Sequence, residues 1–413
     1  MTDTRRGPSA VPVPRQSRVP DAPRRRNPVG GGGSLPAGFG TIWACVALDL
    51  VGFGIVLPIL PLYAEEFGAR ALSATALVAA FSGAQLVFSP IWGRLSDRVG
   101  RKPILVLSLA GTAVGSLITG LAGSLTILFV GRIVDGISGA SVSVAQAAVA
   151  DIAPPQQRAR LLGLLGAAFG LGFVAGPAIG ALAAMGGKEL PFFIAAGLAA
   201  VNAVVAWKRL PETHPGKPVE RPLLEPVPWQ KRGVVDLVAV AFVSLVAFSA
   251  FESTFSLFAE RRLGLELASI GGLFAAIGVV LVLVQVRVLG PAVDRLGEGS
   301  TLRLGLLLNG VGLLLLAGVH EWALLVPALL CLVVGQGLAS PTQSSLLAGR
   351  VGADRRGGVL GIQQAAGGLA RVVGPLAGGA AFEHVGVSAP YVGGVALVAV
   401  ALGLLSPALR KGG

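Results

Sequence analysis

Three ionisable side chains lie in the middle of long apolar stretches in the first half of the chain. Asp49 falls about ten residues into one stretch, which is about 15 Å of helix, and Arg132 and Asp135 lie together in another. A charge at the centre of a bilayer is costly unless it is paired or hydrated, so such residues are functional candidates. Burial opposes the ionisation of a carboxylate and a nearby arginine favours it, which suits a group that binds and releases a proton.

We therefore predict that Asp49 or Asp135 carries a proton and that Arg132 modulates it. The structural alternative is a permanent salt bridge between Arg132 and one of the aspartates. Gln85 and Gln146 are candidate cavity or interhelical hydrogen-bonding groups.

Ionisable groups also interrupt apolar stretches in the second half. Glu252 lies in a stretch rich in phenylalanine, and a carboxylate among aromatic rings suits a lipophilic cation. A structural acid near the outer membrane surface is the alternative. For Arg371 the sequence leaves two roles open: contact with an anionic substrate, or neutralisation of one of the acids. The phenylalanines are Phe242, Phe248, Phe251, Phe255 and Phe258.

A short polar loop after the second apolar stretch carries both charges and glycines. The glycines permit a tight turn, and Asp97 and Arg101 can form charge-assisted bonds. Asp151 closes a later stretch at the same membrane face, so we predict that these three residues form a latch there. A simple orientation signal is the alternative. The candidate gate residues are Gly93, Asp97, Arg98, Gly100, Arg101, Lys102 and Asp151, with Gly290, Asp294 and Arg295 in a second copy.

The two halves of the chain repeat the loop residues, and a set of glycines with one proline, in the same order and nearly the same spacing. The second copy of the loop has Glu298 and Gly299 in place of Arg101 and Lys102, so its latch should be weaker or absent. Parallel repeats around a central cavity are a known way to build a membrane carrier. The residues Gly163, Gly170, Gly176, Pro177 and Gly180 recur as Gly361, Gly368, Gly374, Pro375 and Gly378.

Composition places the chain in a bilayer. It is 53% hydrophobic and 13% charged with a mean hydropathy of +0.76, too apolar to cover a soluble globule. A crossing needs roughly 20 apolar residues as helix. Twelve such runs are predicted, at 39–62, 72–93, 103–123, 125–150, 161–184, 190–207, 234–258, 268–289, 302–319, 322–347, 358–382 and 388–408.

The net charge of +12 is distributed by membrane side and does not indicate nucleic-acid binding. One set of loops holds few basic residues and the other set most of them, so the positive-inside rule places both termini in the cytoplasm. The basic residues of the sparse set are Arg70, Lys188, Arg261 and Arg262.

This topology divides the chain into five segments. Residues 1–38 form a basic, disordered cytoplasmic tail, because they lack an apolar run. A six-helix bundle at 39–207 and another at 234–408 are joined by a cytoplasmic linker at 208–233. Residues 409–413 form a short cytoplasmic tail.

Enzyme chemistry has no support in the sequence. Cys45 and Cys331 fall within predicted helices, and the three histidines show no metal-ligand spacing. We expect no metal and no cofactor.

The polar loop resembles the signature loop of the major facilitator superfamily. In the fifth predicted helix, Gly163, Gly172, Gly176, Pro177 and Gly180 follow the spacing G-x8-G-x3-G-P-x2-G, similar to the motif associated in that superfamily with proton-coupled exporters. Close helix packing by small residues is the alternative reading of this stripe.

Two further segments extend the resemblance. The residues around Arg132 resemble the superfamily's fourth-helix motif, in which a buried arginine is proposed to take part in proton transfer. The segment from Asp49 to Pro61 is similar to the opening of tetracycline-exporter-like members. Those relatives often carry an aspartate in the ninth helix, where this chain has Asn309, a departure that argues against tetracycline itself as the substrate.

The resemblance implies an all-α membrane protein with 12 transmembrane helices in two pseudo-symmetric six-helix halves. It implies a proton-coupled antiporter in the cell membrane that exports small amphipathic compounds, with the substrate, protons and lipid bilayer as partners and a monomer as the working unit. A proton symporter or facilitator for a sugar or another small metabolite is the alternative, and a non-transporting membrane sensor is a more distant one.

Overall fold

The computed structural model describes residues 35–154, 157–214, 232–351 and 356–410, and every regular element in these ranges is a helix. Residues 1–34 of the predicted tail at 1–38, residues 215–231 of the predicted linker at 208–233 and residues 411–413 of the predicted C-terminal tail lie outside the described residues. The first half contains α1 (Phe39–Val56), α2 (Leu60–Glu65), α3 (Ala71–Val99), α4 (Arg101–Gly120), α5 (Leu125–Ser138), α6 (Ser141–Ile152), α7 (Arg158–Ala184) and α8 (Leu190–Arg209).

The second half follows the same plan. Its helices are α9 (Arg232–Leu263), α10 (Leu267–Leu283), a π-helical turn (Val284–Val288), α11 (Leu289–Leu296), α12 (Glu298–Ala317), α13 (Trp322–Gly349), α14 (Arg356–His384) and α15 (Ala389–Arg410).

Eleven helical segments of the described chain are long and apolar enough to cross a membrane. The remaining long helix, α14, has 29 residues and packs between α9 and α3. Its many glycines, two glutamines and Arg371 lower its hydropathy. With α14 as a crossing, the all-helical architecture agrees with the predicted 12-helix fold.

Two of the predicted crossings each consist of two helices with an interruption between them. The first breaks between α1 and α2, where Pro58 has no backbone N–H to continue the helical ladder. The fourth breaks between α5 and α6 at Gly139, whose ψ of 50° is not helical.

An even number of crossings brings Phe39 and Arg410 to one side of the bundle. We call this side the terminal face and the opposite side the far face. Buried apolar side chains form two clusters. One belongs to the first half alone, on α1, α4, α6, α7 and α8, near the terminal face. The other joins the far-face part of the first half to the second half.

The halves therefore meet at the far face. The Glu383 carboxylate on α14 accepts the Leu72 backbone N–H of α3 at 3.0 Å, and the Arg261 guanidinium on α9 pairs with Glu65 on α2 at 2.5 Å. Nearer the terminal face, a Cβ atom at Gly163 on α7 or at Gly361 on α14 would meet no other atom within 4 Å.

Loss of the Arg261–Glu65 pair should let the halves part at the far face. Arg261 also lies over the Phe382 ring at 5.2 Å, so Arg261→Ala removes about 1 kcal/mol and shifts the closed-to-open ratio about fivefold. Spin labels on cysteines replacing the exposed Met185 and Val385, one in each half, should report a larger share of long distances.

The matched control is Lys188→Ala, since the Lys188–Glu66 pair at 2.9 Å lies within the first half. Both measurements use a background without Cys45 and Cys331. An unchanged distance distribution in Arg261→Ala would contradict this account of the far-face contact.

Candidate functional site

A buried ion pair occupies α5. Arg132 and Asp135 are 2% and 6% exposed, and one turn of helix lets their side chains pair. Thr112 on α4 also hydrogen-bonds to Asp135, and the Arg132 guanidinium lies 5.4 Å from the centre of the Phe81 ring on α3. The structure thus contains the salt bridge that the sequence left as the alternative.

Asp49 lies beside this pair on α1 but has a different partner. The Ser141 hydroxyl, at the start of α6, donates to Asp49 Oδ2. Asp49 is close enough to Asp135 for their charges to interact, and its side chain is half-buried. No ion pair within 4 Å joins Asp49 to a described cation, so the two aspartates differ in the charge of their hydrogen-bond donors.

The two glutamines have separate environments. Gln85 Nε2 on α3 donates to the Gly139 carbonyl at 2.8 Å, so it supports the interruption between α5 and α6. Gln146 is half-buried on α6, two turns from the interruption. Neither glutamine forms a hydrogen bond with an acidic side chain of the described residues.

The second half places Glu252 and Arg371 within electrostatic range of each other, on α9 and α14. Glu252 is half-buried and Arg371 is exposed. The expectation of an aromatic lining around Glu252 is wrong for three of the five rings. Phe251, Phe255 and Phe258 are buried in the core against Phe274 or Tyr391, because α9 packs that face on α10 and α15.

Arg101 is the centre of the polar cluster at the terminal face. Its Nη1 pairs with Asp97 at 2.6 Å and donates to the Ser96 hydroxyl at 2.7 Å, and its Nε donates to Asp151 at 2.9 Å. The arginine is 7% exposed. The structure therefore brings the three predicted latch residues together, and all of them belong to the first half.

The other loop residues have simpler settings. Gly100 has a φ of 111°, which favours glycine, at the turn between α3 and α4. Gly93 has open space beside it, Arg98 is exposed and Lys102 is half-buried. In the second copy, Gly290, Asp294 and Arg295 are exposed on α11, and Asp294 and Arg295 form no ion pair within 4 Å with a described residue.

Sequence reasoning missed Glu212, which follows α8. Its carboxylate accepts the backbone N–H groups of Arg101 at 2.8 Å and Lys102 at 3.2 Å, so it satisfies two donors at the start of α4. Its neighbour His214 lies 4.0 Å from Asp151. An acid just after a helix end was the available signal, but no local pattern identifies a partner more than 100 residues away in the chain.

The glycine motif on α7 packs against α1. A Cβ atom at Gly172 would lie 2.7 Å from the Leu50 carbonyl oxygen, and one at Gly176 would lie 2.6 Å from the Gly54 Cα. A Cβ at Gly180 would lie 2.7 Å from the Ile55 oxygen. The stripe lets α7 approach the backbone of the helix that carries Asp49. Gly163 takes no part in this contact, and the Pro177 carbonyl faces Gly271 of α10.

Comparison with known proteins identifies the family. The family model described as Major Facilitator Superfamily matches residues 42–288 and 286–411, nearly all of the described chain. The protein belongs to the Major Facilitator Superfamily. Its membership makes it a multi-pass transporter, in agreement with the resemblance of its loop and helix motifs.

Relatives within the Major Facilitator Superfamily include drug-resistance proteins. The class G tetracycline resistance protein of Vibrio anguillarum is 34% identical over 341 residues, 80% of this chain and 86% of that protein. Multidrug resistance protein 2 of Bacillus subtilis is 30% identical over 372 residues, 87% of this chain and 92% of that protein. The crystal structure of a human organic anion transporter aligns with a TM-score of 0.71 and 25% identity, over 89% of this chain and 98% of that one.

A side chain at Gly176 should separate α1 from α7. Backbone atoms block the space for the new methyl group in Gly176→Ala, so we expect a loss of about 1–3 kcal/mol in stability and a lower melting temperature in detergent. Gly166→Ala, on the same helix with no neighbour within 4 Å, should be neutral or slightly stabilising. Equal melting temperatures for the two variants would show that the glycine stripe does not set this contact.

Removal of the Glu212 carboxylate should loosen the start of α4. Glu212→Ala removes the side-chain acceptor of two backbone N–H groups at the start of α4 and of the exposed N–H groups of Thr213 and His214, and we expect a loss of about 1 kcal/mol in thermal unfolding. Glu266→Ala is the matched control, because Glu266 precedes α10 without a side-chain cap bond. The capping role is wrong if both variants melt at the wild-type temperature.

Proposed function

We propose that this transporter exports small amphipathic compounds in exchange for protons by alternating access. The observation that carries the proposal is the environment of Asp49. This half-buried carboxylate has a neutral donor and lies beside the Arg132–Asp135 pair. Such a group can change its protonation state without leaving an unpaired arginine, whereas protonation of Asp135 removes the partner of Arg132.

The proton and substrate therefore have separable sites. We propose that Asp49 binds the proton and that the Arg132–Asp135 pair, through its field, makes proton binding sensitive to the conformation of the first half. Of the sequence hypotheses, this assigns Asp49 as carrier and Asp135 as the partner of Arg132. The names of the relatives support a drug-like substrate, since they include both tetracycline and multidrug resistance.

We place substrate recognition at the wall that the second half presents to the cavity. Arg371 is exposed and Glu252 lies within range of its charge, so this wall offers both signs of charge to a substrate. Asn309, where tetracycline-exporter-like relatives often carry an acid, is buried and donates to Gln336 at 3.4 Å. It adds no charge to the cavity, which favours an amphipathic compound other than tetracycline.

The transport cycle uses the two halves as rigid bodies. We propose that bundles 39–207 and 234–408 rock about the cavity, that the terminal face is cytoplasmic in the inner membrane, and that one chain suffices. The excess of basic residues at that face supports the orientation. The Arg101 cluster holds α3, α4 and α6 together at this face, and we assign it to the gate.

Asparagine substitutions test the proton site. In proteoliposomes with a pH-sensitive dye, Asp49→Asn should abolish proton movement driven by ethidium, a lipophilic cation, while leaving ethidium exchange, because an asparagine amide does not take up the proton that the carboxylate binds. Asp135→Asn should instead lower the amount of folded protein, since it leaves the buried Arg132 charge without its partner, at a cost of about 3–5 kcal/mol.

Wild-type protein and Glu266→Ala, an exposed acid outside the cavity, are the controls. Proton movement in the same direction as the substrate would make the protein a symporter. Unchanged coupling in Asp49→Asn would remove Asp49 from the proton pathway.

A further inference from the structure

At the interruption between α5 and α6, the carbonyls of Ile137, Ser138 and Gly139 have no helical N–H partner four residues on, although the Ser138 carbonyl accepts the Ala140 N–H at 2.7 Å. In a bilayer, irregular backbone persists only where the protein or a water-filled cavity satisfies the freed groups. Regular helical bonding resumes with the Val144 N–H, which donates to the Ala140 carbonyl at 3.0 Å.

Side chains of two neighbouring helices satisfy all three carbonyls. Trp92 Nε1 on α3 donates to the first at 2.5 Å, the Ser108 hydroxyl on α4 to the second, and Gln85 Nε2 on α3 to the third at 2.8 Å. The Ser108 oxygen also accepts the Ala140 N–H at 3.2 Å. Two helices thus hold the interruption in place, and it is a built feature of the fold.

The interruption makes Ser141 the first residue of α6 and directs its hydroxyl to α1. The Ser141 side chain is 4% exposed, and its hydroxyl donates to Asp49 Oδ2. The N-terminal end of a helix carries partial positive charge, so both the hydroxyl and the helix end favour a carboxylate here. Asp49 Oδ1 has no side-chain donor in the described part of the chain.

The surroundings of Asp49 contain few other ionisable groups. Among the described residues, the Asp135 carboxylate and, in its ionised form, the Cys45 thiol interact electrostatically with Asp49. The helices packed against α1 are α6, α7 and α8, and their described charged residues lie in the turns at the terminal face. Those residues are Asp151, Arg160, Lys208 and Arg209.

We propose that Ser141 is a positioning residue for proton transport: its hydroxyl, delivered by the interrupted helix, holds Asp49 Oδ2 and leaves Oδ1 free to take the proton. The neutral hydroxyl orients the carboxylate but does not hold it in the ionised form, whereas an arginine in the same place would. This inference rests on the proposed antiport function and names the residue that prepares its proton site.

The test compares Ser141→Ala with Ser141→Thr and Ser143→Ala in the full-length chain. Ser143 lies on the same helix, but its hydroxyl donates to the Ala140 carbonyl at 2.9 Å and not to an acid. Proteoliposomes with a pH-sensitive dye report the coupled transport of ethidium.

We expect Ser141→Ala to lower the maximal coupled rate about tenfold while KM changes less than about twofold. The pH midpoint of transport should move about one unit upward, since the hydroxyl stabilises the ionised carboxylate. Ser141→Thr and Ser143→Ala should behave as the wild type. In the Asp49→Asn background, Ser141→Ala should cause no further loss of substrate exchange, because the two residues act as a unit.

A second readout does not depend on the substrate. The infrared carboxyl band that disappears in Asp49→Asn should change frequency in Ser141→Ala and keep its wild-type frequency in Ser141→Thr and Ser143→Ala. If Ser141→Ala does not assemble, Ser141→Cys, similar in size and a weak donor, replaces it with the same expectations.

Two results would overturn the role of Ser141 and leave the antiport proposal intact. One is a wild-type rate, pH midpoint and infrared band in Ser141→Ala while the wild type exchanges protons for substrate. The other is a Ser141→Thr variant as impaired as Ser141→Ala. A wild type that moves a probe without opposing proton movement instead overturns the antiport function itself. If, in that case, the Asp49 infrared band still shifts in Ser141→Ala, the hydrogen bond between Ser141 and Asp49 is confirmed and its role in proton transport is overturned.

Discussion

A charged group inside a bilayer needs a partner, and the first half of this protein is organised around that constraint. Arg132 and Asp135 satisfy it with each other. Asp49 satisfies it with the Ser141 hydroxyl, a donor without charge. This difference between a charged and a neutral partner is the basis on which we propose Asp49, and not Asp135, as the proton-binding acid.

These contacts require backbones that approach closely. A Cβ atom at Gly115 on α4 would lie 2.7 Å from the Asp135 backbone nitrogen, and the glycine stripe on α7 brings that helix against α1. Lipid offers no hydrophobic driving force between helices, so close packing of small residues holds such a site together. The motif associated with exporters therefore has a packing role in this structure, next to the helix that carries Asp49.

The two copies of the duplication differ in how they bind the charged residues of the loop at the terminal face. The first copy ties its terminal-face loop into the bundle through Arg101, and Glu212 extends this network to the segment that follows α8. The second copy leaves Asp294 and Arg295 exposed on α11. The ion pairs of the described chain at the terminal face thus belong to the first half, while the ion pair between Arg261 and Glu65 joins the halves at the far face.

The sequence by itself determined the membrane class, the repeat and the candidate charges, because hydropathy, spacing and charge at a given depth are local properties. It also predicted the Asp97, Arg101 and Asp151 cluster, since loop position places these residues at one face. Only the tertiary structure decided which acid pairs with Arg132, that Ser141 binds Asp49, and that Phe251, Phe255 and Phe258 belong to the core. Hydropathy does not set helix rotation, and a helix break within an apolar run is stabilised by side chains of other helices. Partners such as Glu212 and Ser141 emerge only when distant segments pack together.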